Sequence, residues 1–186
     1  MTNLQQPEST AHSGVLRLAD IDLASIRQLF ATQGLSISDV APGCEIPGSH
    51  WGDDEAGLIS DQIFARADTP VHSLMHEACH YFLMDEKRRQ VLHTDAGGSS
   101  VEENAVCYLQ ICLAATLAEV GAERMMQDMD AWGYSFRLGS TRAWFEQDAE
   151  DAIELLESRG LWQQYNLADC QRKVCSYRII DEAAAD

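Results

Sequence analysis

The residues best suited to chemistry lie in the segment 72–80, HSLMHEACH, which contains the pattern HExxH at positions 76–80. Side chains four residues apart on a helix share one face, so His76 and His80 can converge on one metal ion. Glu77 lies beside such an ion without ligating it, where its carboxylate can accept a proton from water. The His and Glu content of this chain produces the pattern by chance in roughly 1–2% of such sequences, so it favours a catalytic metal site.

A catalytic zinc ion needs a third protein ligand and an open fourth position for water. Imidazole and carboxylate ligands at this spacing favour zinc over manganese or nickel. Three regions downstream offer the third ligand. They are Glu86, six residues after His80; Asp95 or His93 in a polar loop; and the acids Glu102 and Glu103 at the start of the next helix.

The helical pattern after residue 100 distinguishes the two neighbouring acids. Glu102 continues an apolar stripe through Ala105 and Leu109 and therefore points inward, where a carboxylate is costly unless it is paired or metal-bound. Glu103 lies about 100° further round and suits capping of the helix by Ser100. We predict Glu102 as the third ligand, with the capping role for Glu102 as the competing interpretation.

A hydrogen-bond donor for the reaction has to come from another part of the chain. No histidine follows His93, so Tyr134 and Arg137, in the glycine-bounded stretch 133–139, are the candidates, and we predict Tyr134. His72, one turn before His76, either lines the cleft or is an ordinary exposed helix residue. The aromatic residues expected in the core are Trp132, Phe136, Trp144 and Phe145.

Cap and turn signals predict the elements that position these residues. Residues 1–18 are expected to be a flexible N-terminus, and residues 19–186 a single helix-rich α+β domain. The predicted helices span 23–32, 68–84, 100–121, 122–132 and 141–159, and two short strands span 57–60 and 62–66.

Composition excludes several classes of function. The 186 residues are 46% hydrophobic and carry 13 basic against 30 acidic side chains, for a formal charge of −17. Nucleic-acid grooves and anionic membrane surfaces are bound by basic fields, so neither is an expected partner. No run reaches the roughly 18 apolar residues of a membrane span. The N-terminus has no signal-peptide pattern, so the six cysteines are expected as free thiols in the cytoplasm.

The HExxH pattern followed by the segment 102–108, EENAVCY, resembles the gluzincin arrangement. It is most similar to the small ImmA/IrrE-type metallopeptidases and to a wider group of bacterial HExxH proteins. In that family the second helix reads Glu-x-x-Ala with an aromatic residue three positions further on, and Glu102, Ala105 and Tyr108 occupy these positions. The resemblance covers roughly residues 57–117. It departs at Cys79, where glycine is common, and at Val106, where Asn or Asp is common.

The resemblance implies a minimal zincin-like fold, with a small antiparallel sheet beside the HExxH helix. It also implies that residues 62–66 form a strand edge along which an extended peptide substrate lies. The function predicted from the residues and the resemblance together is a zinc metallopeptidase that cleaves a peptide or protein through metal-activated water, with Glu77 as general base. The alternative is a non-catalytic metal-binding or regulatory domain, and the non-ligand acid Glu77 favours the enzyme.

Overall fold

A computed structural model of the protein describes residues 14–50 and 52–183, with side chains described up to residue 175. Within that part of the chain, a helix-rich α+β domain contains a small sheet, as the sequence predicts. The strands are β1 (Ser36–Asp39), β2 (Gly57–Ile59) and β3 (Gln62–Ala65). The α-helices are α1 (Ala24–Ala31), α2 (Val71–Leu83), α3 (Glu86–Val91), α4 (Ser100–Ala114), α5 (Ala122–Trp132), α6 (Thr141–Gln147), α7 (Glu150–Ser158), α8 (Leu161–Gln164) and α9 (Leu167–Ala183).

The sheet is mixed, which corrects the prediction of an antiparallel one. The strand order is β1-β3-β2, and β2 pairs antiparallel to β3 as predicted. β1, which was not predicted, pairs parallel to β3, with Ile37 opposite Ile63. Because β3 lies between two strands, residues 62–66 are not the open edge that the resemblance implies.

The outer edge of β2 is covered by other segments of the chain. The Leu58 amide donates to the Gly48 carbonyl at 3.2 Å, and the Leu58 carbonyl accepts from the Thr94 amide at 2.9 Å. The Ser60 amide donates to the Leu92 carbonyl at 2.9 Å. Since these groups are already hydrogen-bonded, an added peptide strand cannot pair along this edge in the usual way.

α2 carries the HExxH pattern and lies between the sheet and α4. Pro70, with extended backbone dihedral angles, precedes the first helical residue, and the Val71 amide is satisfied by the Leu16 carbonyl at 2.9 Å. Most of α2 is buried, so its position is fixed by packing on both sides. This burial holds the histidine side chains of α2 in place against α4.

α4 begins as predicted, because the Ser99 hydroxyl accepts a hydrogen bond from the Glu102 amide at 3.3 Å. It ends at Ala114, before the predicted end at Gly121. α4 packs against α2, α5 and α7, and eleven of its residues are buried. Tyr108 stacks on Phe145 with ring centroids 4.4 Å apart, and Trp144 and Phe145 lie in the core as predicted.

Three segments differ from their predictions. The helix predicted over 141–159 is interrupted at residues 148–149, whose backbone leaves the helical region, and is therefore two helices, α6 and α7. The charged cluster after α2 forms α3, because the Asp85 carboxylate caps it by accepting from the Arg88 amide at 2.9 Å. The tail, for which no structure was predicted, forms α8 and α9.

The predicted flexible N-terminus is partly anchored. Residues 14–18 belong to the folded domain, because the Leu16 amide donates to Asp128 at 2.9 Å and the side chains of Val15 and Leu18 are buried. Residues 1–13 lie outside the described part of the chain. None of the helices seen between residues 14 and 183 has the length and apolar character that crossing a bilayer requires.

Candidate metal centre

His76, His80 and Glu103 bring three ligand atoms together between α2 and α4. The Nε2 atoms of His76 and His80 lie 3.1 Å apart. Oε2 of Glu103 lies 3.5 Å from the His76 Nε2 and 3.4 Å from the His80 Nε2. The two histidines converge because they are four residues apart on α2, as the sequence predicts.

These separations can be compared with those around a zinc ion. Nitrogen and oxygen ligands bind zinc at about 2.0–2.1 Å in a tetrahedral arrangement, which separates any two ligand atoms by about 3.3–3.4 Å. The three separations of 3.1, 3.4 and 3.5 Å match the edges of such a tetrahedron. The donor set therefore fits one zinc ion with three protein ligands and one remaining position.

Gln110 on α4 determines which nitrogen of His76 faces the site. The Gln110 amide nitrogen donates to the His72 carbonyl at 3.0 Å, so its Oε1 faces the Nδ1 of His76 at 3.2 Å. The Nδ1 of His76 therefore donates to Gln110, and in the neutral form of the ring the lone pair is on Nε2, which faces the other two ligand atoms. The Nδ1 of His80 is buried and has no hydrogen-bond partner among the residues that the structure describes.

Glu102, the predicted third ligand, has a different environment. Its side chain is only 8% exposed, so the prediction that it points inward is confirmed. Its carboxylate contacts two arginines, Arg88 at 2.5 Å and Arg159 at 3.1 Å, and does not face the histidines. Glu103, and not the predicted Glu102, therefore supplies the third candidate ligand atom beside the histidines, while the inward carboxylate of Glu102 is neutralised by ion pairs.

The missed signal is a polar stripe on α4. Glu103, Cys107 and Gln110 recur at helical spacing, and each lines or supports the site beside His76. The apolar stripe that pointed to Glu102 is also buried. A helix buried on several sides has more than one inward face, and the residues of α4 that contact His76 belong to the polar stripe.

The charges of the three candidate ligands complement each other. Burial lowers the pKa of His76, but nearby Tyr134, Cys107 and Glu103 outweigh it and place this pKa well above the ordinary value. Burial raises the pKa of Glu103, but hydrogen bonds to His76 and His80 outweigh it and hold this pKa well below its usual range. The space between these three ligand atoms thus favours positive charge.

The three ligands lie on the wall of a cavity of about 870 Å³. Glu77 also lines it, half-buried, and burial raises the pKa of its carboxyl while the neighbouring histidines lower it. The other lining residues come from α2, α4 and three loops. They are His50, Glu55, His72, Ser73, Thr94, Asp95, Ala96, Gly97, Gly98, Asn104, Cys107, Trp132, Gly133, Tyr134, Ser135 and Phe136.

Tyr134, the predicted hydrogen-bond donor, lines the cavity beside His76 and His72. Its ring is 5.8 Å from that of His76 and 5.7 Å from that of His72, measured between centroids. Burial raises its pKa above the usual range, so the phenol stays protonated at neutral pH and can donate a hydrogen bond. Arg137, the other candidate donor, forms an ion pair with Asp148 and does not line the cavity.

The remaining candidates are distributed around the site. His72 is buried and lines the cavity, so it is not an exposed helix residue. Glu86 is exposed on α3, and His93 pairs with β2. Asp95 lines the cavity, and its Oδ1 accepts from the Gly97 amide at 2.8 Å.

The aromatic residues that were expected in the core divide into two groups. Trp132 and Phe136 line the cavity, which corrects that expectation for these two side chains, whereas Trp144 and Phe145 are buried. Cavity residues such as Glu55, His50 and Trp132 come from loops or helix ends. Their sequence carries no spacing that could have identified them.

Comparison of the chain with protein-family models, with curated proteins and with solved structures finds no significant match. The similarity to ImmA/IrrE-type metallopeptidases therefore rests on the HExxH segment and the segment 102–108 alone.

Replacing Glu102 is expected to destabilise the fold. In Glu102→Gln, Arg88 and Arg159 lose their counter-charge. Arg88 also holds the loop beside the cavity, because it donates to the carbonyl groups of Ala96 and Gly97. The arginine side chains are 33% and 32% exposed, so we expect a loss of about 1–3 kcal/mol, below that of a fully buried pair. Chemical denaturation measures this loss of stability, and an unchanged free energy of unfolding would contradict a stabilising role for Glu102.

Replacing Gln110 is expected to weaken metal binding without removing a ligand. In Gln110→Met the His76 Nδ1–H loses its acceptor, and the imidazole is no longer held in one orientation. Such changes behind a metal ligand typically lower affinity by about 10–100-fold. Competition with a chromophoric zinc chelator measures the dissociation constant. An affinity equal to that of the wild type, with an intact circular dichroism spectrum, would contradict the positioning role.

Proposed function

We propose that this protein is a zinc-dependent metallopeptidase with His76, His80 and Glu103 as metal ligands and Glu77 as general base. The observation that carries the proposal is the placement of three ligand atoms 3.1–3.5 Å apart on the wall of an open cavity, with Glu77 beside them. A bound zinc ion would supply acidity to a water molecule and would polarise a substrate carbonyl.

Glu77 carries the proton transfers in this proposal. Its carboxylate accepts the proton of the attacking water and later donates it to the leaving amine, which restores the starting state. Burial favours the proton-bound form of Glu77, and the nearby His76 and His80 favour the ionised form. These opposing influences suit a group that must both accept and release a proton.

Tyr134 is the proposed donor to the oxygen that gains negative charge. Its phenol is protonated at neutral pH, and its ring lies against that of His76. A donor positioned before the reaction stabilises the charge as it develops, without reorganisation of solvent. His72 contacts the same phenol ring and Trp132, and so supports this wall of the cavity.

The substrate has to approach across the cavity. β3 is central and the outer edge of β2 is hydrogen-bonded to residues 48 and 92–94, so the mode in which a peptide extends the sheet is not available there. The walls that remain are the loop 94–98, the stretch 132–136 that begins at the end of α5, and the residues His50 and Glu55. We therefore propose recognition through the backbone of the loop 94–98 and through the side chains of the other wall residues.

The zincin-like fold, the relation to ImmA/IrrE-type metallopeptidases and a cytoplasmic location belong to this proposal. They are supported by the HExxH segment and by the six cysteines, which carry free thiols, while the acid beside the histidines, Glu103, lies one position after the acid of the resemblance, Glu102. The second candidate is a metal-binding domain without catalysis. The cavity favours the enzyme, because a metal site that serves only structure has no use for an adjacent space of about 870 Å³ lined by a non-ligand acid.

Peptide cleavage tests the proposal directly. Zinc-loaded protein is incubated with a complex mixture of natural peptides, and new termini are identified by mass spectrometry. We expect cleavages that stop when a chelator removes zinc and return when one equivalent is restored. Cleavages that persist in the chelated protein, or a zinc-loaded protein that cleaves nothing, would contradict the peptidase.

A further inference from the structure

The cavity beside the proposed metal centre has a strongly acidic lining. Four carboxyl groups line it, from Glu55, Glu77, Asp95 and Glu103. The basic lining residues within the described part of the chain are histidines, with no lysine or arginine among them. A low-dielectric cavity of one sign concentrates ligands of the opposite charge. The lining therefore favours a substrate with a positive group and disfavours an anionic one.

Three of these acids already have a function in the site. Glu103 faces His76 and His80, and Glu77 is the proposed base. Asp95 stabilises its own loop by accepting from the Gly97 amide. Glu55 is neither a candidate metal ligand nor the proposed base, and its hydrogen bond to Trp132 occupies only one of its two carboxylate oxygens.

Glu55 is held firmly on the cavity wall. The indole Nε1 of Trp132 donates to its Oε1 at 3.1 Å, which fixes the orientation of the carboxylate. The next residue, Ala56, is bound to α2, because its amide donates to the Ser73 hydroxyl at 3.0 Å. The carboxylate is therefore preorganised, so a ligand would not have to order this side chain on binding.

Glu55 also differs from two neighbouring or similarly buried acids that are paired with arginines. The adjacent Asp54 forms an ion pair with Arg17, and Asp128 pairs with Arg124 at 2.7 Å. Glu55 forms no ion pair with the residues that the structure describes. Burial raises the pKa of Glu55, and the hydrogen bond from Trp132 only partly offsets this rise, so an approaching cation would stabilise the ionised carboxylate.

We propose that Glu55 is a specificity determinant that selects substrates with a positively charged nitrogen next to the scissile bond. The recognised group is an ammonium, supplied by the free N-terminus of a peptide or by a lysine side chain. This inference rests on the proposed peptidase function, and it adds a substrate class to it. A charge-assisted hydrogen bond from the ammonium to Oε2 of Glu55 would complete a carboxylate whose Oε1 is already bonded to Trp132.

Binding of three synthetic peptides tests the proposal. The probes are pentaalanine amide with a free N-terminus, its N-acetylated form, and N-acetyl-Ala-Ala-Lys-Ala-Ala-amide. The protein is zinc-loaded Glu77→Gln, which prevents turnover during calorimetry. We expect one of the two cationic peptides to bind at least about tenfold more tightly than the neutral one. The cationic peptide that gains affinity identifies the source of the ammonium.

Two further variants assign the preference to Glu55. Glu55→Gln, added to the Glu77→Gln protein, keeps an oxygen for the Trp132 indole but removes the charge. The preference for the cationic peptide should therefore disappear. Adding Asp95→Asn instead removes another cavity charge and keeps the bond to Gly97, so the preference should persist. The proposal would be overturned if all three peptides bound equally or if none of them bound. It would also be overturned if the preference for the cationic peptide survived Glu55→Gln, or if both variants lost that preference equally.

The outcome is separable from that of the peptidase proposal. If the cationic peptide is preferred but the wild type cleaves no peptide, recognition by Glu55 stands and hydrolysis is wrong. If the wild type cleaves peptides in a zinc-dependent way and no charge preference exists, the peptidase stands and the role of Glu55 is wrong.

Discussion

Glu103→Gln is expected to lower the affinity for zinc by more than about 100-fold, whereas Glu102→Gln should leave it near the wild-type value. Gln has the shape of Glu but a neutral oxygen, which is a much poorer zinc ligand than a carboxylate. Glu103 lies 3.4–3.5 Å from both histidine Nε2 atoms, while Glu102 is paired with Arg88 and Arg159. The two substitutions change adjacent residues in the same chemical way, so the two variants form a matched pair.

Zinc affinity in this pair is measured by competition with a chromophoric chelator, and folding by circular dichroism. His76→Ala and His80→Ala should lose zinc as Glu103→Gln does, because two remaining ligands hold the ion far more weakly than three. If Glu102→Gln loses zinc while remaining folded and Glu103→Gln retains it, the ligand assignment made from the geometry is wrong.

Glu77→Gln is expected to keep zinc and to lose about 10²–10⁴-fold in turnover, the usual contribution of a positioned acid–base group. The amide keeps the size of the side chain and its place on the cavity wall but cannot take a proton from water. The measurement is the rate of appearance of new peptide termini at equal zinc content. The same change in a non-catalytic metal-binding domain would alter neither its metal content nor its partner affinity.

A second carboxylate provides the control for this loss. Glu86→Gln removes a charge from the exposed face of α3, outside the cavity, and leaves Glu77 in place, so its turnover should stay within a small factor of that of the wild type. Hydrolysis at the wild-type rate by zinc-loaded Glu77→Gln would contradict the general-base role. Loss of zinc from Glu77→Gln would show instead that Glu77 supports the metal site structurally.

The HExxH helix could be predicted closely from the sequence because all of its signals are local. Proline before the first turn, apolar residues around the helix and charged residues after Met84 define α2 to within three residues at its start and one at its end. The spacing of His76 and His80 alone places their side chains on one face. The convergence of these two imidazoles therefore required no knowledge of tertiary structure.

The third ligand and the strand pairing depend on tertiary contacts that local patterns do not contain. The burial of Glu102 was predicted, but its neutralisation by Arg159 depends on a contact between residues 57 positions apart. β1, with the sequence SISD, is short and polar, and its parallel pairing with β3 has no local signal. Glu55 and Trp132 are 77 positions apart and meet only in the folded chain.

The zinc content of the wild-type protein tests the central claim most directly. Protein purified without added metal and without chelator is dialysed against metal-free buffer and measured by elemental analysis, with His80→Ala treated in parallel. The account predicts about one zinc ion per wild-type chain and almost none in the variant, because the wild type has three ligands at tetrahedral spacing. A wild-type chain that holds no zinc and takes up none from an equimolar solution would contradict it.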